Sequence, residues 1–225
     1  MSLRHPHIVT FIGTCFDKND FYLVTEYLEK KSLKNVLENK KIELNILDKL
    51  KICLDISVAI LYLHTRKPQV FHRDLKSSNC LVDSYNRVKL CDFGLSKIYE
   101  ELKIRKMNNN IDQNFYQTNC TGTSFWMSPE FITDNLFTDK ADIYALGILF
   151  CEVMMRDPIP FKNISEIAFL CGDKDVLKMR PVIPNDFDPD IKELIKICWH
   201  HDYTKRPDIS SVVNKLEILI SKYKK

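Results

Sequence analysis

Apolar residues follow two different spacings along the chain. Short compact runs come first. Residues 8–12 and 21–26 are rich in β-branched and aromatic side chains and predict two strands. The DKND at 17–20 between them is turn chemistry. Ser32 stands where it can cap a short helix carrying Leu33, Val36 and Leu37. Between residues 45 and 64, Leu47, Leu50, Leu54, Val58 and Leu61 recur at steps of three and four. That spacing predicts an amphipathic helix, closed by Pro68. Residues 80–82 and 88–90 then predict a hairpin, with DSYN at 83–86 as its turn. Residues 97–123 lose all periodicity and form a long loop, the kind that in a compact domain is functional or disordered. Residues 139–155 are apolar nearly all round, which predicts a buried helix. Asp188 and Pro189 open another through Trp199, with Ile191, Leu194, Ile195 and Cys198 inward. Asp208 caps the last, which carries Val212, Leu216, Leu219 and Ile220. A small strand-rich part followed by a larger helical part makes this an α+β chain.

Composition narrows the function classes. The 225 residues are 45% hydrophobic and 28% charged, as in ordinary globular proteins. Lys and Arg number 33 against 30 Asp and Glu, so a net charge of +3 gives no argument for nucleic acid or a membrane surface as partner. The eight cysteines include no CxxC pair, which disfavours zinc. The opening MSLRHPH lacks the apolar core of a secretory signal. Both features suggest reduced thiols and a cytoplasmic location. The longest apolar stretch, 143–155, contains Glu152 and is too short to span a bilayer. The five glycines, Gly13, Gly94, Gly122, Gly147 and Gly172, are scattered, so the chain holds no glycine-rich phosphate loop.

The predicted hairpin carries the chemistry. Asn79 immediately precedes its first strand and Asp92 lies just beyond its second. Folding at the turn brings both to the same open end, with Asp74 a few residues upstream. A few hard oxygen ligands, with positions left over for water, suit Mg²⁺ bound together with substrate phosphates.

The local words are more specific. HRDLKSSN at 72–79 and DFG at 92–94 resemble the protein-kinase catalytic loop and metal-binding motif. HRDL, the Asn and DFG fix eight positions at a set spacing. The resemblance extends over nearly the whole chain. LRHPHIV at 3–9 resembles the passage into the fourth strand of a kinase, and LVTEYL at 23–28 its hinge. SPE at 128–130 stands where APE is usual. DIYALGILFCEV at 142–153 resembles the buried central helix of the large lobe. CW at 198–199 and RP at 206–207 resemble its closing segment. HPHIVTFIGTC, GTSFWMSPE and the CW…RP ending are most similar to the tyrosine-kinase-like group.

The resemblance implies a kinase fold, with residues 1–27 a remnant of the small lobe and start of the hinge, and 28–225 a mostly helical large lobe. It implies phosphoryl transfer from ATP with Mg²⁺ to protein hydroxyls. Asp74 would orient the substrate hydroxyl and accept its proton, and Lys76 would offset charge at the γ-phosphate. Asn79 and Asp92 would hold Mg²⁺. Leu81 would floor the adenine site, the backbones of Glu26 and Leu28 would meet the purine edge, and Thr25 would stand behind the pocket. Lys76-Ser77-Ser78 and Gly122-Thr123 resemble serine/threonine kinases. Arg73 would pair with phosphate on the long loop, placed at Tyr116, Thr118 or Thr121 by an upstream activating kinase. Glu130 and Arg206 resemble the family's buried ion pair, and Asp142 the residue bracing the catalytic loop from below.

The resemblance also implies parts that residues 1–225 do not contain. No glycine precedes Gly13, and the third-strand lysine and its helix glutamate have no counterpart before Arg4. About a quarter of a kinase domain would lie outside this chain. The expectations are an open sheet edge, uncovered apolar surface and weak transfer by the chain alone. The alternative is a non-catalytic scaffold or regulatory module.

Overall fold

A computed structural model describes residues 3–18, 20–94, 96–98, 124–158, 161 and 164–224. Residues 99–123, which include Tyr116, Thr118, Thr121, Gly122 and Thr123, lie outside the described residues.

The strand-rich part is a two-stranded antiparallel ribbon. β1 (Phe11–Asp17) pairs with β2 (Asp20–Thr25), from Phe11 opposite Thr25 to Asp17 opposite Asp20, with an irregularity between Phe11 and Gly13. The strand predicted over 8–12 is therefore displaced. Ile8 and Val9 are buried, but they belong to a different contact. Val9 N–H donates to Leu90 O and Leu90 N–H to His7 O, which pins this stretch to the later hairpin. The turn is correspondingly tighter, with Lys18 in the left-handed region at φ 54°. A two-stranded ribbon alone is marginally stable in water.

The helical part begins at α1 (Leu33–Glu38), capped by Ser32 as its sequence predicts, in a reciprocal capping box with Asn35. α2 (Ile46–His64) has Asn45 and Asp48 in the same arrangement. Its burial is wider than the predicted stripe. Ile52, Cys53, Ile56, Ala59, Ile60 and Leu63 are fully enclosed, whereas Leu47, Leu54 and Leu61 are only half-buried. Packing on several sides removes the single apolar face that periodicity assumes.

β3 (Val70–Phe71) and β6 (Lys97–Ile98) form a short antiparallel pair that periodicity does not reveal. β4 (Cys80–Val82) and β5 (Val88–Leu90) form the predicted hairpin, in register Cys80–Leu90, Leu81–Lys89 and Val82–Val88. Short α3 (Pro129–Asp134) precedes α4 (Asp139–Met155), in which every residue from Ala141 to Met154 is buried. α5 (Glu166–Leu170), α6 (Pro189–Cys198) and α7 (Ile209–Tyr223) complete the chain, with Asp188 and Asp208 as the predicted caps of the last two.

One core joins α1, α2, the β4–β5 hairpin, α4, α6 and α7. Gly147 on α4 permits its approach to the end of α6: a Cβ there would lie 2.9 Å from Trp199 N. Arg156, the left-handed cap of α4, donates to Val36 O, Asn39 O and Ile42 O and so ties α4 to the end of α1. The seven described cysteines are all free thiols. Burial raises those at Cys53, Cys80, Cys151 and Cys198, so they remain protonated and inert.

Candidate active site

The loop between β3 and β4 is held from beneath by a buried carboxylate. Asp142, on the first turn of α4, is 1% exposed. Its Oδ2 accepts from His72 N–H at 3.0 Å and its Oδ1 from Arg73 N–H at 2.9 Å. Burial alone would raise this carboxyl, but hydrogen bonding and charge from His64, at 2.9 Å, outweigh it and hold the pKa below the ordinary value. The bracing role that the resemblance implies for Asp142 is thus present in the geometry. Arg73 adopts φ 71°, an uncommon conformation for a non-glycine residue, and the two Asp142 bonds fix the backbone there.

His72 links this loop to the strand that follows. Its ring is fully buried, bonds to Cys91 O at 3.2 Å and packs against Phe93. Burial lowers its pKa, more than the nearby carboxylates restore. A neutral ring there can donate from one nitrogen and accept from the other: Asp74 N–H reaches its Nδ1 at 3.3 Å.

Above this frame lie the predicted site residues. Asp74 is 5% exposed. Its Oδ2 accepts from Asn79 Nδ2 at 2.7 Å and lies 2.9 Å from Lys76 Nζ. Its Oδ1 is buried and has no hydrogen-bond partner among the described residues. Asn79 Nδ2 also donates to Asp74 O, which leaves its Oδ1 without a donor among the described residues. Cys91 N–H donates to Asn79 O, extending the hairpin ladder one step and placing Asp92 directly after Asn79's neighbour. Asp92 is exposed, at φ 60°, and among the described residues its Oδ1 accepts only from Gly94 N–H at 3.2 Å.

The structure therefore brings Asp74, Lys76 and Asn79 into one contact group and sets Asp92 at the same open end of the hairpin. Asn79 Oδ1 and the Asp92 carboxylate are hard oxygen donors of the kind a divalent cation such as Mg²⁺ takes. Among the described residues no three His, Cys, Asp or Glu side chains could hold a metal by themselves. A cation here would need phosphate oxygens to complete its shell, as Mg²⁺–nucleotide sites do.

The predicted adenine residues lie on the end of β2, on the segment that follows it and on β4. The chain at 30–32 runs beside β4, with Lys30 N–H bonded to Val82 O and Val82 N–H to Lys31 O. Leu81 is half-buried and faces the Ser32 bridge. Leu28 is buried, and its N–H has no acceptor among the described residues. Glu26 N–H donates to Thr10 O, so only its carbonyl, which already accepts from the Thr25 hydroxyl at 3.2 Å, can meet a ligand. The Glu26 carboxylate pairs with Lys89 at 2.7 Å. Thr25 itself is exposed.

Sequence reasoning assigned no role to three buried acids and bases. Asp55 accepts from Arg87 Nη2 and Nε at 2.7 and 2.9 Å and from Val88 N–H, holding the hairpin on α2. His64 supports Asp142. Glu152, fully buried on α4, accepts from Trp126 Nε1 at 2.6 Å. Its Oε2 receives no well-directed hydrogen bond, although Ser77 lies beside it and favours its ionisation. Burial prevails and the carboxyl is pushed up to about 8. The signal for Glu152 was visible: one acid inside the most apolar stretch of the chain. Farther down, Arg206 Nη1 and Nη2 grip Glu130 at 2.7 and 2.8 Å, both side chains buried, as the resemblance implies.

Comparison with known proteins identifies the family. The family described as "Protein tyrosine and serine/threonine kinase" matches residues 1–216. The chain belongs to this family, and its fold is an α+β kinase domain with few strands. Among similar proteins are "Putative serine/threonine-protein kinase/receptor R831" of Acanthamoeba polyphaga mimivirus, 35% identical over 98% of this chain. "Dual specificity protein kinase shkA" of Dictyostelium discoideum is 33% identical over 96%. The chain spans 13% and 39% of the length of these two relatives. The family uses ATP with a divalent cation and acts on proteins. Among the described residues no helix is long and apolar enough to cross a membrane.

Proposed function

We propose that the chain is the catalytic part of a cytoplasmic protein kinase that transfers the γ-phosphate of Mg²⁺·ATP to serine or threonine hydroxyls in signal transduction. Residues 1–27 contribute the small-lobe side and the start of the hinge, and 28–225 the large lobe. Asp74 orients the hydroxyl and accepts its proton. Lys76 offsets charge beside it. Asn79 and Asp92 hold the cation, which neutralises phosphate charge when bound. Leu81, Leu28 N–H, Glu26 O and Thr25 border the base. Protein substrates reach this face, and an upstream kinase phosphorylates Tyr116, Thr118 or Thr121, whose phosphate pairs with Arg73.

One observation carries this reading. Asp74 has one oxygen held by Asn79 and Lys76, while the other is buried without a donor among the described residues. An unsatisfied buried carboxylate oxygen costs stability in the resting protein. It is poised to accept a proton from a hydroxyl placed against it. A scaffold has no need of that arrangement together with Asn79 and Asp92. The serine/threonine preference rests on the Lys76-Ser77-Ser78 sequence and on the mimivirus relative whose name carries that specificity, whereas the Dictyostelium relative is named dual-specificity.

Phosphate transfer from γ-labelled ATP to serine, threonine and tyrosine peptides tests the proposal, using the longest natural product that contains these residues. We expect transfer to serine and threonine peptides, lowered at least about a hundredfold by Asp74→Ala. An unchanged rate in that variant contradicts the role of Asp74, and transfer confined to tyrosine contradicts the specificity.

A further inference from the structure

A groove of about 410 Å³ lies between segment 180–185 and α6, away from the residues assigned to transfer. Its lining combines three cations, Arg180, Lys192 and Lys196, with an apolar floor of Pro181, Ile183 and Trp199. Asn185 is the remaining lining residue, so no carboxylate lines the groove among the described residues; Glu193 lies in the adjoining depression that shares Lys192 and Lys196. None of the three cations has an ion-pair partner among the described residues. Lys192 reaches only Asn185 Oδ1, at 3.4 Å.

Arg180 is built into place. Its Nε donates to Trp199 O at 2.9 Å, and its Nη1 to Leu177 O and Met179 O at 2.8 and 2.6 Å. Its guanidinium lies over the Tyr144 ring, 4.9 Å from the centroid. Nη2 makes no hydrogen bond among the described residues. Burial and the nearby Arg206 charge pull the Arg180 pKa below its usual value, more than Tyr144 and the Glu130 charge restore, so a further anion in the groove would favour the guanidinium. Lys192 and Lys196 are one helical turn apart, and like charges at that spacing destabilise a helix. The helix dipole favours Lys196 in the last turn of α6 but not Lys192 near the first.

We propose that this groove docks an acidic, extended segment of a partner protein. Its carboxylates meet Arg180, Lys192 and Lys196, and an intervening apolar side chain covers the Pro181–Ile183–Trp199 floor. The fixed guanidinium loses little further freedom on binding, which favours affinity. A peptide fits better than nucleic acid, because the groove offers three cations beside an apolar floor and the chain as a whole carries a net charge of only +3.

The test reads binding directly and does not depend on phosphate transfer. Fluorescence anisotropy compares three labelled probes on the 225-residue chain. They are a peptide of about twelve residues alternating Glu and Leu, its Gln counterpart, and a single-stranded oligonucleotide of similar length. The same probes are applied to Lys192→Ala/Lys196→Ala, two surface changes that leave the core intact. The acidic peptide should bind at least about tenfold more weakly to the double variant, and the Gln peptide at least about tenfold more weakly to the unmodified chain. Equal affinity in either comparison overturns the proposal. Tighter binding of the oligonucleotide through the same two lysines also overturns it.

Discussion

The ribbon and the helical body are both rich in apolar residues, yet they bury them to opposite extents. Tyr144, Phe150 and Leu50 are wholly enclosed around α4 and α2, while Phe16 is 77%, Leu23 67% and Ile12 66% exposed on β1 and β2. Apolar content alone therefore does not define a core; the number of layers packed on an element does. The difference also locates the chemistry. Asp74 and Asn79 hang from His72 and Arg73, whose backbones are bonded to Asp142 on α4. The body holds the loop of residues 72–79, while the ribbon leaves its apolar residues exposed.

Breaking the body should cost most. Arg206→Met leaves Glu130 buried without its bidentate partner, and such losses are worth about 3–5 kcal/mol. Urea unfolding of the variant should show that loss; a change below about 1 kcal/mol would mean that the body tolerates an unpaired charge at its base.

The second prediction uses pH. In the unfolded chain Glu152 ionises at the ordinary value of 4.5, and in the fold near 8. Below the lower value both states hold the proton and the group adds no pH dependence. Between the two the unfolded chain releases its proton and the fold retains it, so stability falls as pH rises and levels off above the upper value. Glu152→Gln keeps an acceptor for Trp126 but cannot titrate. From about pH 5 to about pH 9 its stability relative to the unmodified chain should therefore rise by a few kcal/mol, on the order of magnitude set by the shift. A pH-independent difference would show that Glu152 is ionised inside the body.

The ribbon should respond least. Phe16→Thr or Leu23→Thr should change unfolding stability by less than about 0.5 kcal/mol. The same substitutions should reduce self-association and binding of an apolar dye, since they remove exposed apolar surface. A loss comparable to that of Arg206→Met would place these residues in a core after all.

How much of this the sequence disclosed follows the same division. The β4–β5 hairpin was legible to the residue, because short alternating strands and a polar turn leave one register. The caps at Ser32, Asp188 and Asp208 were legible because capping depends on local hydrogen bonds. The start of β1 was not: Ile8 and Val9 read as strand, but their partner is Leu90, far along the chain. The inward face of α2 was misjudged because the helix is surrounded. Asp74, Lys76, Asn79 and Asp92 were found through their words, HRDLKSSN and DFG, rather than through periodicity. Asp55 and His64 were invisible, since nothing local distinguishes a buried acid or imidazole from an exposed one.

The account depends on Asn79 and Asp92 serving one cation beside Asp74. Electron paramagnetic resonance of Mn²⁺, substituted for Mg²⁺, tests this directly when it is titrated with ATP onto the chain. Mn²⁺ should be immobilised only when ATP is present, with binding weakened at least about tenfold by Asp92→Ala and by Asn79→Ala and untouched by Phe16→Thr. Equal immobilisation in Asp92→Ala, or binding indifferent to ATP, would contradict it.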